Sequence, residues 1–221
     1  MKNIALKVLR TAAMLIPVAV YAQPRPGNPT TATVITKAEI DKISAKEQSQ
    51  RVRDENAKVV DIGDGWSMEL GIIHRASTRT PPPAPATGAG NARGAAQPNP
   101  CGEQMADRPA DAIPGAITHD NQTEGYLIVS GGGTAFIDGH VVNGRHSTAN
   151  PDGGPNGPGC GGLAVGSRKV ELKVGDVLIV PPGVIHGWAD IPDHVDYLSF
   201  RPSHGVMKNG WVNPTIASKD Q

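Results

Sequence analysis

From about residue 58 onward the chain is a succession of short apolar runs cut by glycine, proline and asparagine. Residues 58–62 and 66–76 read as two strands joined by the turn Gly63-Asp64-Gly65. Period-two alternation puts Trp66, Met68, Leu70, Ile72 and His74 on one face of the second strand. Most of these are large and apolar, so that face is expected to look inward and to carry His74 with it. Further strands are expected at 116–119, 124–130, 134–137, 168–172, 177–180, 184–188 and 195–200, with a short pairing at 140–142. Gly131-Gly132-Gly133, Asp138-Gly139 and Pro181-Pro182-Gly183 read as the turns between them. A single helix is expected at 37–49, where Thr36-Lys-Ala-Glu39 forms a capping box and Ile40 and Ile43 face one side. Many short strands with one helix argue for an all-β barrel or sandwich.

Three stretches depart from the pattern. Residues 77–112 are rich in Pro, Gly and Ala and lack the periodicity and apolar content of a core, so disorder is expected for 80–98. A second Gly/Pro/Asn loop occupies 147–162. At the start, Lys2, Lys7 and Arg10 precede an apolar run at 11–20 that is too short to span a bilayer. Val20-Tyr21-Ala22 then offers a cleavage site, which reads as a signal peptide over 1–22 and a periplasmic or secreted protein. An uncleaved anchor is the alternative; no cysteine follows the run, which argues against a lipoprotein. Residues 23–57 read as linker and helix, 58–201 as the barrel with its insertion, and 202–221 as a tail.

Charge removes two classes of partner. The 221 residues carry 21 basic and 21 acidic side chains, so nothing draws the chain to nucleic acid or, once the leader is gone, to an anionic membrane. A small molecule is the expected partner, and a homodimer is compatible with the sequence. The two cysteines, Cys101 and Cys160, both lie in loop-forming sequence. Export makes a disulfide between them the leading reading, and a two-cysteine metal site the weaker one, since no CxxC is present.

The candidate chemistry lies in two stretches. The first runs from Gly115 to Gly131 and contains His119, Glu124 and Tyr126; the second runs from Gly175 to Asp190, with His186 just after the Pro-Pro-Gly turn. His186 shares a face with Val184, Trp188 and Asp190. Taken alone it either satisfies a core hydrogen bond or binds a metal. Here the chain resembles the cupin superfamily over roughly residues 58–201. The first cupin motif is matched by His119, by Glu124 after four intervening residues, and by Gly131 after six more; its first histidine falls at Ile117. The second is matched by Gly175, Pro181, Gly183 and His186, with Asp190 in the place of an asparagine.

The resemblance implies a jelly-roll β-barrel and a divalent metal held by His119, Glu124 and His186. Two imidazoles and one carboxylate suit non-haem iron, and zinc, manganese or nickel fit as well. His74, if it points inward, is a candidate fourth ligand or acid/base; otherwise it is a buried histidine bonded to a carbonyl. Tyr126 shares a face with Glu124 and is a candidate donor in the cavity. Trp188 lines that cavity or fills the core. The function expected is that of a metal-dependent dioxygenase, lyase or isomerase acting on a small oxygenated molecule. A non-catalytic barrel that binds a ligand or metal is the alternative, and a purely structural domain is a third.

Overall fold

In a computed structural model that describes residues 27–45, 51–79, 99–147 and 156–217, eleven strands and one helix are found. The helix, α1 (Lys37–Ser44), begins with the expected capping box: Glu39 N donates to Thr36 Oγ1, and Thr36 N donates to Glu39 Oε2 at 2.7 Å. It ends at Ser44, short of the expected residue 49, and 46–50 lie outside the described residues. So do the leader at 1–22 and the low-complexity stretch at 80–98.

The strands are β1 (Val52–Gly63), β2 (Trp66–Ala76), β3 (Pro100–Cys101), β4 (Ile113–Ile117), β5 (Glu124–Ile137) and β6 (His140–Ser147). They continue with β7 (Gly159–Val165), β8 (Arg168–Lys173), β9 (Val177–Val180), β10 (His186–Asp190) and β11 (His194–His204). All the ladders are antiparallel. One layer runs β1-β2-β11-β5-β9, and the other contains β8, β5, β10, β4, β7, β6 and β3.

β5 belongs to both layers. Its first half pairs with β11 and β9, and its second half with β10 and β8. The expectation of a hairpin turn at Gly131-Gly132-Gly133 is therefore corrected: the chain passes straight through as one 14-residue strand. Gly131 has φ 63° and Gly132 φ 159°, and the strand bends there from one layer into the other. A Cβ on any of the three would meet a backbone carbonyl oxygen, that of His194, Leu172 or Asp190. Only glycine lets three chains approach so closely.

The core lies between the layers. Ile73, Tyr126, Ile128 and Tyr197 from one layer meet Ala135 and Leu172 from the other, with Ile191 and Val195 beside them and Trp188 packed against the cluster. Trp188 thus fills the core next to Tyr197, with ring centroids 5.9 Å apart.

The inward face of β2 is the opposite of the one expected. Ser67, Glu69, Gly71 and Ile73 face the interior, while Leu70 and Ile72 are buried on the outside, where α1 lies over Ile72 through Ile43. Both faces of β2 are covered, so apolar alternation on the outer face imitated a core-facing pattern. β1 starts at Val52, ahead of the expected residue 58. β11 runs to His204, and beyond it Val206 and Met207 pack on Val59, so the expected tail is partly barrel. β7 was read as loop because its glycines hide any alternation; a Cβ on Gly162 would lie 2.7 Å from Gly144 Cα.

Candidate metal centre

His119, Glu124 and His186 come together in the interior. Each is almost fully buried, and each offers one ligand atom within 4.8 Å of the other two. Glu124 opens β5. His186 opens β10 directly after the Pro-Pro-Gly turn, where Gly183 takes φ 77°. His119 stands two residues past the end of β4 rather than in a strand, and its carbonyl accepts a 2.7 Å hydrogen bond from Gly183 N. That bond ties the two motif segments to each other.

The donor atoms are those a cation requires. His119 Nδ1 and Nε2 and His186 Nε2 are buried without a hydrogen-bond partner among the described residues. Glu124 Oε2 lies 3.6 Å from His119 Nε2 and 3.2 Å from His186 Nε2, but neither pair is aligned as a hydrogen bond. Orphaned buried nitrogens are costly, by about 1–3 kcal/mol each. His186 Nδ1 sits 3.1 Å from the Val184 carbonyl, an oxygen that can only accept. The proton therefore belongs on Nδ1, which leaves the Nε2 lone pair free for a ligand bond.

Glu124 is held from both sides. Arg201 Nε donates to Oε1 at 2.8 Å, and the Tyr126 hydroxyl donates to Oε2 at 2.5 Å. Burial pushes this carboxyl up, but the charge of Arg201 outweighs it and holds Glu124 well below the usual carboxylate range. It is thus ionised and ready to ligate. Arg201, 1% exposed, also donates from Nη2 to both oxygens of Asp54 at 2.9 Å and from Nη1 to Asn56 Oδ1. A Cβ on Gly71 would sit 2.9 Å from the guanidinium carbon, so the glycine makes room for it.

A second buried carboxylate lies in the same layer. Glu69 accepts from Ser203 Oγ at 3.1 Å, Gln122 Nε2 at 2.9 Å and Asn56 Nδ2 at 3.4 Å. Burial pushes it up to about 7, against Arg201 and its three donors. Sequence reasoning missed Arg201 and Glu69. The signal was available in β11, where Tyr197, Ser199, Arg201 and Ser203 alternate as inward residues, a polar run that continues into the supposed tail.

The other sequence candidates divide. Tyr126 lies in the site, with its ring 6.2 Å from that of His186. Burial, and then the charge of Glu124, raise its hydroxyl well above the usual tyrosine range, so it stays protonated. His74 does not reach the site: it is paired in register with Asp196 on the outer face, and its Nδ1 lies 2.6 Å from Asp196 Oδ1. That removes it as an interior fourth ligand. Ile117, in register with His186 on β10, places an aliphatic side chain where the first-motif histidine would stand. Asp120 turns outward to His146 at 2.9 Å. A cavity of about 750 Å³ lies elsewhere, between residues 28–40 and the outer face of the first layer around Met68, Leu70 and Leu198. It holds none of the three ligand residues.

No family model matches the chain, and no curated protein does. Among solved structures, it is similar to a cupin protein from Bacteroides fragilis, at 15% identity over 70% of this chain and 79% of that one, with a TM-score of 0.30. It is also similar to an uncharacterized conserved protein with a double-stranded beta-helix domain from Klebsiella pneumoniae subsp. pneumoniae, at 14% identity, 79% and 94% coverage and a TM-score of 0.31. The decisive observation is in this chain: the two motif segments fold side by side in one two-layered barrel and bring His119, Glu124 and His186 to a single point. The fold is a two-layered antiparallel β-barrel, the architecture that the resemblance to cupins implies. The barrel brings together three residues that could hold a metal ion, and Ile117 stands where the first-motif histidine would be.

Proposed function

We propose that this cupin is an exported, metal-dependent enzyme acting on a small oxygenated molecule, with one divalent ion held by His119, Glu124 and His186. The observation that carries this reading is the set of buried, unpartnered imidazole nitrogens beside an ionised carboxylate. Such a donor set fits a divalent cation and leaves positions open for an exogenous ligand, as in two-histidine, one-carboxylate sites. A bound ion would supply Lewis acidity toward a carbonyl or carboxylate oxygen.

The chain's own residues do the rest. Arg201 fixes Glu124 Oε1 and so orients the other oxygen towards the imidazoles. The Tyr126 hydroxyl, at 2.5 Å from Oε2, is the proton donor placed nearest the ligand atoms. Ile117 and Tyr126 line the surroundings with apolar surface that limits water. Tyr126→Phe should therefore leave metal content at the wild-type level while lowering turnover by about 10² or more, the usual scale for a positioned acid. The substrate is found by incubating the metal-loaded protein with small hydroxy and oxo acids and following product by mass spectrometry. If every bound organic molecule is released unchanged and no turnover is seen, the non-catalytic binding reading takes its place. The aliphatic Ile117 at a ligand position is the observation that favours that second reading.

A further inference from the structure

We infer that the cavity beside His119 is a subsite for a small carboxylate, and that Arg145 is the residue that holds its charge. The inference rests on the reading of His119, Glu124 and His186 as the reactive centre, and adds to it the class of ligand.

The strand register places Arg145 there. His186 on β10 pairs with Ile117 on β4, Ile117 pairs with Gly161 on β7, and Gly161 pairs with Arg145 on β6. Residues opposed across a ladder share a face, so all four lie in one row on the face that carries the buried His186. Above Gly161 a Cβ would find only Ala116 O at 3.7 Å and Ile117 Cγ2 at 3.9 Å, so that position is open. A cavity of about 240 Å³ is lined by Ile117, His119, Arg145, Ser147 and Asn156 among others; Glu124 and His186 are not part of its lining. It falls below the ~300 Å³ at which drug-sized ligands begin to fit, which favours a small occupant.

Charge narrows the class further. Every other arginine among the described residues donates to a carboxylate, hydroxyl or carbonyl: Arg51 and Arg53 to backbone oxygens, Arg75 to Tyr197, Arg79 to Asp190, Arg108 to Ala112 O, and Arg168 and Arg201 to aspartates. Arg145 has no such partner among them. The nearby acidic side chain Asp120 is engaged by His146. An unspent guanidinium fork lining a cavity that also touches His119 matches a carboxylate, which the fork can hold through two parallel hydrogen bonds. The ligand would then present its carboxylate to Arg145 and an adjacent oxygen to the three-ligand centre.

The test is calorimetric titration with glycolate and with its uncharged amide, glycolamide, using metal-free protein and protein incubated with Mn²⁺. Wild type should bind glycolate at least about tenfold more tightly than glycolamide. Arg145→Gln should weaken glycolate by about tenfold or more while leaving Mn²⁺ uptake and glycolamide binding unchanged, and Arg145→Lys should restore part of the loss. Arg168→Gln, which removes an exposed arginine outside the cavity, should bind glycolate like wild type. Equal affinity for the two probes in wild type, or unaltered glycolate binding in Arg145→Gln, overturns the inference. A protein that takes up no Mn²⁺ but still binds glycolate in an Arg145-dependent way contradicts the metal reading and leaves the anion subsite standing.

Discussion

Glu124 answers three demands through two oxygens: Arg201 holds one, Tyr126 and the two imidazoles meet at the other, and the carboxyl stays ionised in a buried setting. Glu69, on β2 with β11 between it and Glu124 in the same layer, shows the opposite balance. With Arg201 already committed to Asp54 and Glu124, burial dominates and the carboxyl rises to about 7. A carboxyl whose pKa is raised on folding binds protons more readily in the native state than in the unfolded chain between about 4.5 and about 7. Its contribution to stability is therefore present at the acid end of that window and is lost as the pH rises through it, by up to about 3 kcal/mol from a shift of this size. Glu69→Gln should remove this slope: urea midpoints of the variant should change less between pH 5 and 7.5 than those of wild type. Parallel profiles would show that Glu69 does not titrate there. The candidate ligands were legible in the sequence because His119 and Glu124 stand close together along the chain and His186 directly follows the Pro-Pro-Gly turn. His74 was misplaced because its strand is buried on both faces, and Arg201 escaped notice because nothing local marks where β11 ends.

β5 is the element that makes the two layers one barrel. Its run of three glycines has the composition of a turn, and composition cannot tell a reversal from a bend between layers; the neighbouring carbonyls of His194, Leu172 and Asp190 decide that. Gly131→Ala should be destabilising by about 2 kcal/mol or more, since it forces a left-handed φ on a residue with a Cβ and drives that Cβ against the His194 carbonyl. Equilibrium urea unfolding measures this directly; an unchanged midpoint would mean that the strand bends without needing a glycine. The Pro-Pro-Gly turn before β10 behaved as its sequence indicated, because proline and glycine fix a turn locally, whereas β7 depends on close contact with β4 and β6 that no local pattern reveals.

The barrel as a whole is closed by one covalent link across the outer strands of its second layer. Cys101 on β3 and Cys160 on β7 form a disulfide over β6, which lies between them, and Gly144 beneath it leaves room for the sulfur. The 59-residue separation corresponds to up to about 4 kcal/mol of loop-closure stabilisation. Cys101→Ser/Cys160→Ser should lower the melting temperature by roughly 10 °C, given 2–4 °C per kcal/mol for a domain of this size. A thermal scan showing no shift would mean that the packing of β3 suffices without the link. Such a bridge suits the export we propose, which the apolar leader first suggested.

Everything said of function turns on a cation at the point where His119, Glu124 and His186 converge. Elemental analysis of chelator-free protein, expressed as metal per chain for wild type and His186→Ala, tests this most directly. The account predicts close to one divalent ion in wild type and a loss to near background in the variant; no metal in wild type, or undiminished metal in His186→Ala, would contradict it.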